Sequence, residues 1–174
     1  GQALAGACQE LLGLGPDAIK SVCAMLVPTS GGADANPRFL LSGLAKHVSR
    51  GDAEEARTLV SGAFIEALDA AGDPEVKAFL IRQLQVCGDA EAVDALLTYL
   101  SDETLVEPAT QALLAIRTEN AVAALKAAFE GADGPRAVTL IKALGELRVA
   151  DMSDKIVPFT TSENRETRLV AYQA

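Results

Sequence analysis

Residues 73–129 contain one unit written twice, and that repetition constrains the fold more than any other feature of the chain. The first copy reads DPEVKAFLIRQLQVCGDAEAVDALLTYL from Asp73, and the second reads DETLVEPATQALLAIRTENAVAALKAAF from Asp102. A shift of 29 places Leu84 on Leu113, Cys87 on Ile116, Val93 on Val122, Leu96 on Leu125 and Leu100 on Phe129. In each copy, two stretches with apolar residues at helical spacing flank a polar turn. A hairpin of this size cannot bury its own apolar face, so neighbouring copies have to stack and share a core.

The pattern extends in both directions. Gly51 to Gly72 matches the segment from Gly88 under a shift of 37, which sets Arg57 on Asp94, Leu59 on Leu96 and Val60 on Leu97. A further copy begins at Asp133, shifted by 31, with Leu144 on Leu113, Leu147 on Ile116, Arg148 on Arg117 and Ile156 on Leu125. Another starts at Glu163 and supplies one helix without a partner. These spacings predict an all-α chain of about five hairpins plus a terminal half repeat. The expected repeats are 2–27, 37–71, 73–101, 102–132, 133–162 and a partial 163–174, in a single domain spanning 1–174. The unpartnered last helix leads us to expect a piece of a longer protein.

Local chemistry supports the helix pattern. Asp73 before Pro74 and Asn36 before Pro37 both read as helix starts. Pro108 falls near a first turn, which predicts a short or bent start, and Pro158 interrupts the second helix of the fifth copy. There Ser153 stands where Val122 packs. The expected apolar stripes are Leu4, Cys8, Leu11 and Leu12; then Ile19, Val22, Cys23 and Leu26; then Phe39, Leu40, Leu44 and Val48. The last helix offers Leu169, Val170 and Tyr172. Residues 28–37, PTSGGADANP, form a long connection that reads either as a mere insertion or as a recognition loop.

Composition narrows the classes of function. The chain has 174 residues, 49% of them hydrophobic, but only 4% aromatic and no Trp. Ala, Leu and Val supply that content, which suits helix-on-helix packing. Net charge is −9, and the chain beyond residue 60 holds 18 acidic against 10 basic groups. Such a surface repels phosphate backbones, so nucleic acid is not an expected partner. The longest apolar runs fall short of a membrane span. Cys8, Cys23 and Cys87 form no CxxC and read as free buried thiols, with a Cys8–Cys23 bridge as the alternative. His47 is the only histidine and has no nucleophile or acid at a motif spacing. No HExxH, GxGxxG, P-loop or Cys/His set is present, so no catalytic residue, metal or cofactor is expected.

The paired helices at a spacing near 30, the Asp, Glu or Pro at their starts, the Val or Ile before an inner Ala-Leu-Leu run and the Arg of the last copy resemble the HEAT repeat. The short period is most similar to the HEAT-like repeats of phycobilin lyases, and the resemblance covers Leu4 to Ala174. It implies a right-handed α-α superhelix whose second helices line the concave side. Equivalent positions on those helices form ladders. One runs Lys20, Arg57, Asp94, Ala123, Asp154; the next runs Ala24, Ser61, Thr98, Ala127, Pro158. Both sit between core positions and are expected to face solvent. A third, Asp17, Glu54, Glu91, Asn120 and Asp151, lies in first turns, where the helix dipole favours acids. Tyr99 is either a further contact or a partly buried rim residue.

The resemblance implies an interaction scaffold that binds a polypeptide partner on its concave face, in the manner of bacterial arrays of this kind. Lys20, Arg57, Ser61, Asp94, Thr98 and Asp154 are the candidate contacts. A non-catalytic spacer or docking module, packed on a neighbouring carbohydrate-active or dehydrogenase-like domain, is the alternative. HEAT-like DNA glycosylases need a basic groove with aromatic residues, which this acidic, Trp-free chain lacks.

Overall fold

The structure, a computed structural model, describes residues 2–51 and 53–174, and every regular element among them is helical. Gly1 and Asp52 lie outside the described residues. The chain divides into two compact units, Gly1–Ala95 and Leu96–Ala174.

The first unit holds α1 (Gln2–Leu14), α2 (Pro16–Cys23), a 3-10 turn at Thr29–Gly31, α3 (Ala35–Val48), α4 (Glu54–Ala70), α5 (Pro74–Cys87) and the start of α6 (Ala92–Leu97). First helices α1, α3 and α5 pack side by side, and second helices α2 and α4 pack on one another and against that row. Ile19, Leu41, Leu44, Phe64, Leu68 and Leu84 close the core between the rows. Burying each of these side chains is worth about 1.5–3 kcal/mol.

The second unit continues with a 3-10 turn at Thr98–Ser101, then α7 (Val106–Ile116), α8 (Glu119–Phe129), α9 (Gly134–Glu146), α10 (Ser153–Ile156) and α11 (Arg165–Gln173). Here α9 packs between α7 and α11, and α8 rests on α7 and α9. Leu113, Leu125, Leu140 and Leu144 fill its interior.

Side-chain caps fix the starts of α5, α8 and α11. The Asp73 carboxylate accepts from the Glu75 and Val76 amides, and Pro74 supplies a first-turn residue that has no N–H to satisfy. Thr118 caps α8 through the Ala121 amide, and Asn164 caps α11 through Glu166 and Thr167. α3 begins at Ala35, ahead of the Asn36–Pro37 signal, and Asp34 at its N-cap position makes no side-chain cap but turns to the Val27 amide and to Arg38. Pro108 lies in the first turn of α7, which starts only at Val106. In the fifth hairpin Pro158 leaves the second helix as four residues between two 3-10 turns. Met152 is buried there, as Ala121 is at the equivalent place on α8, and Ser153 faces out where Val122 is only half-buried, so the core position keeps its register.

Three expectations of burial need correction. Phe39 is 66% exposed; Pro37, Leu41, Leu44, Ala45 and Val48 form the inward stripe of α3 instead. Leu169 and Tyr172 of α11 are also exposed, and Thr167, Val170 and Ala171 face in. Val60, Ala63 and Phe64 share their burial with Leu96, Tyr99 and Leu100, so the second and third hairpins superpose with a shift of 36 rather than 37. The sequence alignment ran one residue out because Leu-Val and Leu-Leu pairs match equally well in either register.

The repeat is written in the backbone as well. Arg117 and Arg148, which the sequence aligns, both adopt left-handed φ values, 53° and 52°, as α7 and α9 end. Left-handed backbone reverses the chain after a helix, a task glycine does with less strain. First helices come closest at two glycines. A Cβ on Gly145 would stand 2.7 Å from the Ala174 backbone, and one on Gly43 would stand 2.8 Å from the Leu4 side chain.

Two substitutions test this packing. Gly145→Val is expected to undock α11 from α9, seen as loss of amide-exchange protection over 165–173 while α7 and α8 stay protected. Thr110 is fully buried and its hydroxyl finds no hydrogen-bond partner. Thr110→Val is therefore expected to raise stability by about 1 kcal/mol in a urea titration.

Candidate functional site

Second helices α2 and α4 carry the N-terminal end of the charged ladder, and the structure uses it internally. Lys20 donates to Glu66 Oε2 on α4 at 2.6 Å and pairs with Asp17 at 3.0 Å. Bonds to Glu66 first, and then to Asp17, hold its ammonium pKa above the ordinary value. Arg57, at the equivalent place on α4, donates its Nε to the Cys87 carbonyl at 2.9 Å and a terminal nitrogen to the Gly88 carbonyl. It thereby satisfies carbonyls at the end of α5 and sets a cation against that helix's negative pole. Each cation reaches from its own hairpin to the next.

The second unit repeats the device. Lys126 of α8 bonds Asp151 at 2.7 Å, and Lys155 of α10 bonds Glu130. Lys126 holds the Asp151 carboxyl below its ordinary pKa, and Lys155 does the same for Glu130. Asp151, a member of the first-turn ladder, is thus half of a link between hairpins.

Ser61 corrects the expectation that its ladder faces solvent. It is 1% exposed and its hydroxyl donates to Asp89 at 3.4 Å. Contact with α2 on one side and α5 on the other widens the buried arc of α4 past the stripe that spacing predicts. Asp94, Thr98 and Asp154 are exposed, whereas Tyr99 is turned in.

What spacing could not display is a groove of about 520 Å³ between α2 and α4, closed at one end by the start of α5. Cys23, Ala24, Leu26, Ala67, Ala70 and Val76 give it an apolar lining, Pro28 adds the base of the long connection, and Lys20 and Glu66 meet on its rim. Burial pushes the Cys23 thiol up to about 12, and Cys87 likewise, so both are neutral packing groups near neutral pH. All three cysteines are free.

The connection at 28–37 is pinned rather than loose. Asp34 accepts from the Val27 amide at 3.0 Å and from Arg38 Nε at 2.7 Å, while Arg38 returns a bond to the Val27 carbonyl. The Arg38 guanidinium also lies 4.8 Å from the centre of the Phe79 ring. Thr29 donates its amide and hydroxyl to Glu75 at the start of α5. Elsewhere, half-buried His47 shares a shallow pocket with Cys8, Gly43 and Arg50. Burial raises the Cys8 pKa, so the pair does not make an activated thiolate. Among the described residues no three His, Cys, Asp or Glu side chains come together as a metal set, and no helix is long and apolar enough to cross a membrane.

Compared with known proteins, residues 62–140 match the family model of HEAT repeats. No curated protein and no solved structure matches the chain.

The pinned connection gives a pH test. The Val27 amide, then Arg38, hold Asp34 below its ordinary 3.8; the Thr29 amide and hydroxyl hold Glu75 below 4.5. Depressed carboxylates contribute stability that is complete above the ordinary values and disappears as pH falls through the folded ones. The protection of the Val27 and Thr29 amides, relative to their slower intrinsic exchange in acid, is expected to fall below about pH 4, before α3 and α5 open. Protection that persists until the helices melt would show that these carboxylates do not hold the segment.

Proposed function

Taking as premise that the chain carries HEAT-like repeats, we propose that it is a binding module which holds a polypeptide against the face built by its second helices. Repeats of this kind commonly serve as protein-interaction scaffolds and are typically non-catalytic. The observation that carries the proposal is the groove between α2 and α4, open to solvent and apolar inside. Monomeric proteins seldom leave such a surface without a use. Exposed Asp94, Thr98 and Asp154 supply polar positions on the same class of helix, and Lys20 stands at the groove's rim. Ser61 and Arg57 support that face from within. The net charge of −9 favours a polypeptide over a polyphosphate partner.

Docking against a neighbouring domain of the same chain is a second reading, favoured by Leu169 and Tyr172, apolar side chains left in solvent on α11. A photo-crosslinking residue introduced at Asp94, Thr98 or Asp154 separates the two from a passive spacer. Polypeptide adducts are expected from these sites and not from exposed first-helix positions Arg82 and Lys142. Adducts from Leu169 and Tyr172 alone would favour the docking module, and adducts from Arg82 and Lys142 alone would refute both.

A further inference from the structure

We infer that the groove between α2 and α4 receives a lysine or arginine side chain from a peptide segment otherwise made of small apolar residues, and that Lys20 occupies the place of that cation while the groove is free. The inference rests on the polypeptide-binding function proposed above and names the chemistry of the partner.

The shape of the lining limits the occupant first. Ala24, Ala67, Ala70 and Gly72 leave no side chain projecting into the space, so a peptide backbone can approach the helices closely. Deeper in, Leu26, Val76 and Leu80 offer an apolar channel suited to an aliphatic stem. No Phe, Tyr or Trp lines the groove, so an aromatic anchor would find no ring to stack on.

Charge then selects the sign. Asp17, Glu66 and Asp73 stand at or beside the groove, against Lys20 alone. Helices α2 and α4 both end here, presenting their negative poles, and α4 has no basic residue in its last turn. An anionic or carboxylate-rich segment would meet three acids and two helix C-termini, against the one N-terminus of α5, whose first amides Asp73 already engages. A cation would meet complementary charge at the rim and a dry wall along its stem.

Lys20 already shows the solution in miniature. Its stem crosses from α2 and its ammonium lies between Asp17 and Glu66 at 3.0 and 2.6 Å. Glu66 keeps more than half of its side chain in solvent, so the bond can be exchanged for one to an incoming cation without unpacking a helix. Exposed ion pairs of this sort hold only weakly, which makes the exchange easy.

Selection from a displayed library of random short peptides on the full chain, with the winners mapped by backbone amide shifts, tests the assignment. Expected winners carry Lys or Arg flanked by Ala, Gly or Val, and shift the amides of Ala67, Ala70 and Val76. Glu66→Gln is expected to weaken their binding about threefold to fivefold, and Lys20→Met to tighten it by a similar factor. Ala70→Trp, at an exposed position, should abolish it while the helical circular dichroism is retained. Binding should also weaken as salt rises. Acidic or aromatic winners, self-association that fills the groove in their place, or weaker binding by Lys20→Met would overturn the assignment while leaving a polypeptide-binding face in place. Absence of any peptide from the second helices would remove the broader proposal as well.

Discussion

A helix with one apolar stripe is unstable in water until something covers it, and every hairpin of this chain solves that problem in the same way. Leu84, Leu113 and Leu144 on first helices, and Leu96, Leu125 and Ile156 on second ones, turn away from solvent at repeating positions. Short helices contribute little through their own hydrogen bonds, so this covering supplies most of what keeps them folded. Where it thins, the helix thins with it: α10 is four residues long, and between 150 and 158 only Met152 and Ile156 turn fully inward.

Such burial is legible in sequence because helical spacing fixes which face a Cα presents. The hairpin order, the cap at Asp73 and the effect of Pro158 all follow from local rules. Phe39 and Tyr172 stay exposed for a different reason. Hydrophobicity says that a residue would gain from burial, but only a neighbouring element can provide it, and neither side chain has one above it. The one-residue slip between the second and third hairpins came from adjacent apolar residues that satisfy two registers equally.

The site was less legible than the scaffold. A ladder of Lys20, Arg57 and Asp94 suggests a surface held ready for a ligand, yet Lys and Arg are long and flexible, and helical position does not fix where their charges end. Lys20 and Arg57 end on the next hairpin, at Glu66 and at the α5 carbonyls. The groove was invisible for a related reason. Its lining draws on α2, α4, the connection at Pro28 and α5, whose alanines look like ordinary helix formers when taken singly.

In the first unit the two rows of helices are joined by different forces. Lys20 and Glu66 link the second helices through an exposed ion pair, while α1 and α3 meet through Leu4 lying over Gly43. Ionic strength acts on these in opposite senses, since dissolved ions screen the pair and strongly hydrated salts tighten apolar contact. Added salt therefore loosens the Lys20–Glu66 tie between α2 and α4 while it tightens the seat of Leu4 on Gly43 between α1 and α3.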